Sequence, residues 1–337
     1  MKKIVFHFIT LAVFLFASCS DAIFEEEGDC SVHYNIKFKY DMNMKFADAF
    51  CNSVCSVHLY AFDENGVLIY QKAESGEALK SEDYAMGVEL EPGTYTFIAW
   101  CGLSGGDAFS LCTSSSVGST TIEQLQCELE KEYKEDGCAF VDDEINHLFH
   151  GMKTITLSDE YGTHTETISL IKNTNTVRVV LQHLSGEDIM PEDFVYEITD
   201  DNGLMAHNNN LIKDEEIDYY PWSITAGSAG VDEDGTKAVT SVSVAVAEFT
   251  IGRLVMENNP ILTVYKAEDN EKVLSIPLKD YALLVKGNYN RQMDDQEYLD
   301  RQDEYNLTFF LDDYGKWSTS RIMINSWNVV IQNPDLN

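Results

Sequence analysis

The chain is poor in positive charge, in long apolar runs, and in glycine and proline. Lys and Arg number 23 against 57 Asp and Glu, which leaves a net charge of -34. Phosphate backbones and anionic headgroups repel such a polyanion, which excludes general nucleic-acid binding and a peripheral grip on anionic lipid. With 20 Gly and 6 Pro in 337 residues and 44% apolar residues, the composition is that of a globular protein, neither collagen-like nor disordered.

The longest apolar run lies at the N-terminus, where Met1-Lys2-Lys3 precedes residues 4–17. A basic start followed by a run of this length is typical of an export signal and too short to span a bilayer. Phe16-Ala17-Ser18-Cys19 resembles a bacterial lipobox, so we predict a lipoprotein signal peptide over residues 1–18 and lipidation of Cys19. The alternative is an ordinary secretory signal, after which Cys19 pairs in a disulfide.

Acidic residues follow the predicted lipidation site, with Glu25-Glu26-Glu27 as the densest group. We expect residues 19–31 to form a lipidated acidic tether, because like charges keep a linker extended. The patch also resembles the signal that sends lipoproteins of Bacteroidota-type bacteria to the outer face of the outer membrane.

No cysteine occurs after Cys138. Exported chains use cysteine mainly for disulfides, so the seven cysteines after Cys19 predict two or three bridges and at least one free thiol. A zinc site is the competing interpretation. Cys51 and Cys55 have no second close pair, and His147 and His150 lie in an apparent strand, so we assign no metal ligand.

Strand patterns fill the chain. Apolar residues alternate with polar ones from Val32 to Tyr40, and Asp63-Glu64-Asn65-Gly66 predicts a hairpin between two apolar runs. We predict an all-β protein of two tandem antiparallel β-sandwich domains, one over residues 32–172 with a cysteine-rich insertion at about 102–146, the other over residues 173–337.

Three local patterns refine this prediction. Helical spacing of Ile122, Leu125 and Leu129 predicts a helix in the insertion, with Thr120 and Glu123 as its capping box. The segment from Ile322 to Ile331 reads as one closing strand. Asp200-Asp201-Asn202-Gly203 repeats the earlier hairpin sequence, which is consistent with two related sandwiches.

Catalytic patterns are weak. The segment 102–106 matches a nucleophile elbow, but no helical periodicity follows Ser104, so a loop is the better interpretation. The segment 232–235 starts like a calcium loop but lacks the later ligands. We therefore predict no catalytic residue, no cofactor and no metal.

A series of segments resembles the fimbrillin-associated anchor family, the lipoproteins that accompany major and minor fimbrillins in Bacteroidota-type bacteria. These segments are VHLYAFDENGVLIY (57–70), EPGTYTFIAW (91–100), HLFHGM (147–152), KNTNTVRVVLQHL (172–184), YEITDDNG (196–203) and NSWNVVIQN (325–333). The resemblance implies two transthyretin-like sandwiches, attachment to the outer membrane through lipidated Cys19, and a fimbrillin shaft subunit as partner. The cysteine-rich insertion does not match the family pattern.

The resemblance implies a fimbrial role, and the absence of arginine from the first half of the chain bears on whether this role is that of an anchor or of a shaft subunit. Stalk subunits of this type lose their first strand to an Arg-specific protease, yet the first Arg of this chain is Arg178. This favours a non-enzymatic anchor that keeps its lipid and binds a shaft subunit by strand addition. The alternatives are a tip or accessory adhesin with an unidentified host ligand and a surface glycan-binding lipoprotein.

Overall fold

The computed structural model describes residues 31–103, 108–231, 240–287, 290–312, 314–325 and 327–329. Up to residue 172 the strands are β1 (Val32–Lys39), β2 (Ser56–Phe62), β3 (Leu68–Ser75), β4 (Met86–Val88), β5 (Gly93–Cys101), β6 (Phe109–Leu111), β7 (Cys127–Leu129), β8 (Glu132–Tyr133), β9 (Ala139–Val141), β10 (Phe149–Leu157), β11 (Gly162–Ser169) and β12 (Ile171–Lys172).

The remaining strands are β13 (Thr174–His183), β14 (Phe194–Asp200), β15 (Leu204–Met205), β16 (Ile217–Tyr219), β17 (Ser223–Val231), β18 (Thr240–Gly252), β19 (Ile261–Lys266), β20 (Lys272–Pro277), β21 (Glu304–Leu311), β22 (Trp317–Ile324) and β23 (Trp327–Val329). The helices are α1 (Phe50–Ser53), α2 (Leu278–Leu284) and α3 (Asp295–Arg301), with 3-10 turns at Glu77–Lys80, Ile122–Gln124 and Pro191–Asp193.

The first sandwich packs the sheet β11-β1-β4 against the sheet β12-β10-β5-β2-β3. Along β1 the apolar residues Tyr34, Ile36 and Phe38 are buried while the polar residues between them are not. The alternation predicted for this strand is confirmed, and it supplies the inner face of the sandwich.

The second sandwich packs the sheet β17-β18-β13-β21-β22-β23 against the sheet β20-β19-β14-β16-β9-β8. Both halves share one plan, because the first strand of each lies between a parallel and an antiparallel neighbour. Strand β1 is parallel to β11 and antiparallel to β4, and β13 is parallel to β21 and antiparallel to β18. The prediction of an all-β protein built of sandwiches is confirmed, but the sheets are mixed because β1 with β11, β13 with β21 and β9 with β16 run parallel.

The two Asp-x-Asn-Gly segments, 63–66 and 200–203, follow equivalent strands, β2 and β14, but they turn differently. At the first, Gly66 has φ +73° and Asp63 accepts hydrogen bonds from the backbone of Asn65 and Val67, which closes the predicted hairpin. At the second, Asn202 is buried and accepts a hydrogen bond from the Tyr219 hydroxyl, and the chain continues into β15.

The insertion belongs physically to both sandwiches. Its strands β8 and β9 extend a sheet of the second sandwich through pairing of β9 with β16, and β7 pairs with β15. Its apolar residues also cover the outer face of β2 and β5, where Phe62 and Trp100 are fully buried. One apolar cluster therefore runs from the outer face of the first sandwich through the insertion into the second, while the interior of the first sandwich forms a separate cluster.

The chain crosses from the first half to the second without a linker. Strand β12 ends at Lys172 and β13 begins at Thr174, so only Asn173 lies between them. Asn173 is fully buried and exchanges two amide hydrogen bonds with Asn209, at 2.6 and 3.0 Å. We predicted a domain boundary near residue 172. That the two halves are independent domains stays a prediction.

Three expectations about the fold are wrong. The helix predicted around Ile122 is a single 3-10 turn capped by Thr121 and Gln124, since Leu129 lies on β7. The closing strand is a hairpin, because Asn325 takes φ +47° between β22 and β23. The prediction of two or three disulfides is also wrong for the described residues. Six described cysteines are free thiols: Cys51, Cys55, Cys101, Cys112, Cys127 and Cys138.

The described cysteines differ in burial, so we expect their thiols to differ in reactivity. Burial raises the pKa of the Cys101 and Cys127 thiols, both fully buried on strands, where they pack as small apolar groups. Cys55 and Cys138 are exposed.

We expect a maleimide to label Cys55 and Cys138 in the native protein and to spare Cys101 and Cys127. In denaturant without reductant, all six described cysteines should react, as read by mass spectrometry of peptides. A described cysteine that reacts only after reduction would contradict the free-thiol arrangement.

Candidate partner-binding edge

Open sheet edges are the places where another chain can add a strand, because their backbone N–H and C=O groups face outward. Most edges in the described part of the chain are short, charged or covered. Strands β4, β6, β8, β12, β15 and β23 have three residues or fewer. Strand β11 carries Glu166 in an ion pair with Lys153, β3 carries Lys72 and Glu74, and β20 begins with Lys272.

Strand β17 is different from these edges. It has nine residues and pairs with β18 along its whole length, and no other described strand lies on its outer side. Residues 219–231 contain no charged side chain. Ile224, Thr225 and Ala226 are all exposed, so both faces of the strand meet solvent at this point. This long, uncharged edge is where we place the candidate site.

Local structure explains how β17 is displayed. Strand β18 pairs with β13 only as far as Val244, and beyond it β17 and β18 continue as a two-stranded ribbon to Val231 and Thr240. Strand β17 was not predicted from the sequence, because the Ala and Gly residues that recur in it have low strand propensity. The available signal was the absence of charge over residues 219–231 in a chain with 24% charged residues.

The C-terminal hairpin forms the opposite edge of the same sheet. Ile322 and Ile324 of β22 are fully buried and pair with β21. Strand β22 therefore completes its own sandwich, and β23 pairs with it as the last strand of the sheet. Residues 330–337 lie outside the described residues.

Several residues singled out by sequence fall outside the described residues: Cys19 with the whole signal and tether to residue 30, Ser104, and the segment 232–235. Gly102 of the elbow pattern is described. Its φ of +100° brings it so close to the His147 carbonyl that an added Cβ would lie 2.1 Å from that oxygen, so the position requires glycine for packing.

The two histidines considered as metal ligands do not form a site. The His150 ring packs against Trp100 with centroids 4.5 Å apart, and its Nε2 lies 2.8 Å from the His207 carbonyl oxygen. Burial lowers the pKa of His150 to about 4. Within the described ranges, no three His, Cys, Asp or Glu side chains come together as a metal site. No described helix is long and apolar enough to cross a membrane.

A polar cavity of about 620 Å3 lies in the second half of the chain. Arg253 lines this cavity and forms a bidentate ion pair with Asp300. Its Nε and Nη2 atoms each donate to one carboxylate oxygen at 2.8 Å. Nearby, Asn258 donates to both Asp200 and Asp201. Asp200 Oδ2 is buried with no hydrogen-bond partner among the described residues, and burial raises the pKa of Asp200 to about 6.

This carboxyl generates a pH prediction. Because its pKa is higher in the folded than in the unfolded state, ionisation of Asp200 costs stability, almost fully above pH 6 and hardly at all below about pH 3. Asp200→Asn should therefore raise the free energy of unfolding by about 1–3 kcal/mol at pH 7.5. Urea denaturation at pH 7.5 and at pH 4 measures this difference in the free energy of unfolding. The gain should fall to about 0.5 kcal/mol at pH 4, and Asp142→Asn at an exposed carboxyl should show no gain at either pH. Equal stability of Asp200→Asn and the parent protein at pH 7.5 would refute the assignment.

Comparisons with known proteins agree with this architecture. The family model of the fimbrillin-A associated anchor proteins Mfa1 and Mfa2 matches residues 26–333. A candidate adhesin from Bacteroides thetaiotaomicron is 34% identical with a TM-score of 0.80, over 91% of this chain and 100% of that one. A candidate polysaccharide-binding protein from the same organism is 31% identical with a TM-score of 0.77, over 91% and 100%.

The fimbrial anchor protein Mfa2 from Porphyromonas gingivalis shares the fold, with a TM-score of 0.66 at 17% identity over 89% of this chain and 99% of that one. No curated protein sequence matches the chain.

Proposed function

Since the chain belongs to the family of fimbrillin-A associated anchor proteins, we propose that it holds a fimbria at the cell surface as a non-enzymatic lipoprotein. In this proposal lipidated Cys19 attaches the protein to the outer membrane, and a shaft subunit binds by strand addition. Membership of this family suggests a fimbrium-associated location at the cell surface.

The observation that carries the proposal is the open edge of β17. A partner strand would bond to its free backbone groups along up to nine residues, and the small side chains of Ala226 and Gly227 allow close approach. Register would come from the larger side chains, of which Ile224 is 44% exposed. The first strand β1, by contrast, is paired on both sides and is part of the core.

A second candidate function is that of an accessory adhesin. It is favoured by the 34% identity to the candidate adhesin from Bacteroides thetaiotaomicron. The two roles differ in location after shearing, since an adhesin leaves with the fibre and an anchor stays with the outer membrane.

The strand-addition proposal is tested by placing charge on the edge. Thr225→Lys with Ala226→Lys should leave folding and surface level unchanged, because both side chains are exposed, but should oppose edge pairing. We expect cells with this variant to shed fimbriae several-fold more than the parent, measured as shaft subunit in the supernatant after shearing.

The matched control is Thr165→Lys, at an exposed threonine of the charged edge strand β11, which should retain fimbriae normally. Normal retention by the double variant, at a normal level in the outer membrane, would refute β17 as the docking edge.

Lipid attachment has its own test. Cys19→Ala removes the acylated residue, so the protein should move from the detergent phase to the aqueous phase or remain uncleaved. Partitioning in Triton X-114, with Cys55→Ala as the control at an exposed cysteine, measures this. A Cys19→Ala protein that still enters the detergent phase would contradict lipidation.

A further inference from the structure

A cleft of about 590 Å3 lies between the two sandwiches, away from β17. One wall is the loop of residues 40–49 that joins β1 to α1, and the other includes residues 302–304 before β21. Ligand sites commonly form at such domain interfaces, where walls from different elements converge on one space.

The loop of this wall is held rigidly. The buried Asn43 amide donates to the carbonyls of Tyr40 and Ala47, at 2.9 and 2.8 Å. Asp48 Oδ1 accepts the backbone N–H groups of Tyr40 and Phe50, each at 3.0 Å. These contacts fix the loop before any ligand binds, which lowers the entropy cost of binding.

The same loop displays an aromatic ring in a strained conformation. Phe46 has φ +52°, a region that a bulky residue seldom occupies, and its side chain is 59% exposed. The Arg301 guanidinium lies 4.5 Å from the ring centroid and donates to the Asp41 carbonyl at 2.9 Å. Strain of this kind persists at functional positions, and here it holds an apolar ring in water between Lys45 and Ala47, two residues that line the cleft.

The groups available in the cleft carry no net charge, because the exposed side chains of Lys45 and Glu304 in its lining have opposite charges. Asp303 is paired with buried Lys172 at 2.7 Å, and Asp48 Oδ1 serves the loop backbone. Within the described residues, the side chains of Asn52, Ser53 and His147 line the cleft and make no hydrogen bond to other protein groups. Burial lowers the pKa of His147 below its usual value of 6.5, so the imidazole is neutral at pH 7.

We propose that this cleft binds a neutral saccharide, with the Phe46 ring as a stacking platform at its rim. Hydroxyl groups both donate and accept hydrogen bonds, which suits an amide, a hydroxyl and a neutral imidazole together. Anionic glycans are opposed by the net charge of -34. A cationic peptide would find the carboxylates Asp48 and Asp303 already engaged, and the remaining carboxylate, Glu304, is offset by the like charge of Lys45 toward the peptide.

The test is affinity electrophoresis of the full mature protein in native gels that contain dextran, yeast mannan or galactomannan, with polygalacturonate as the anionic comparison. We expect at least one neutral polysaccharide to slow the parent protein. Phe46→Gly should weaken this binding tenfold or more while the protein stays folded, because glycine accepts φ +52° without strain. Asn52→Ala should weaken it in the same direction.

The matched control is Tyr161→Ala, which removes an exposed ring (78% exposed) from the turn between β10 and β11 and should leave binding unchanged. No retardation by any of the three neutral polysaccharides would overturn the proposal, as would retardation by polygalacturonate alone. Equal retardation of Phe46→Gly and the parent protein would also overturn it. Fimbrial retention should be normal in Phe46→Gly, so this result is independent of the anchor proposal.

Discussion

The rest of the structure depends on covering the outer face of β2 and β5. Tyr60, Phe62, Ile98 and Trp100 make that face as apolar as the inner one, so a sandwich alone would leave a large apolar surface in water. The insertion covers it and then pairs its own strands with the second sandwich. Because burial of these rings requires all three parts together, the two halves are fixed relative to each other.

This rigidity suits the proposed role of holding a fibre. The chain passes from β12 to β13 through the single buried residue Asn173, and the Lys172–Asp303 and Arg301–Asp41 contacts close the other side of the interface. In the proposed role, a pull on β17 would be carried through β18 and β13 to Asn173 and the first sandwich without a flexible joint. The same packing fixes the walls of the interdomain cleft.

Local patterns predicted much of this fold. Strict alternation in β1 and the Asn65-Gly66 turn encode their structure within a few residues, so both were predictable. The insertion was not, because β9 finds its partner β16 almost eighty residues later along the chain. The thiols of Cys101 and Cys127 are held apart from oxidation by core packing, which spacing cannot reveal. The candidate edge was missed because its small residues carry no strand pattern.

An uncharged edge as long as β17 carries a risk, since two copies of the chain can pair edge to edge. Natural sheets usually prevent this with a lysine or a proline on the edge, and β17 has neither. The net charge of -34 offers a different protection, because two copies that approach each other repel along their whole surfaces. That repulsion acts between any two copies but leaves the edge itself open. In the proposed role, a shaft subunit of smaller charge can dock where a second copy is repelled, which makes high acidity compatible with an unguarded edge in one chain.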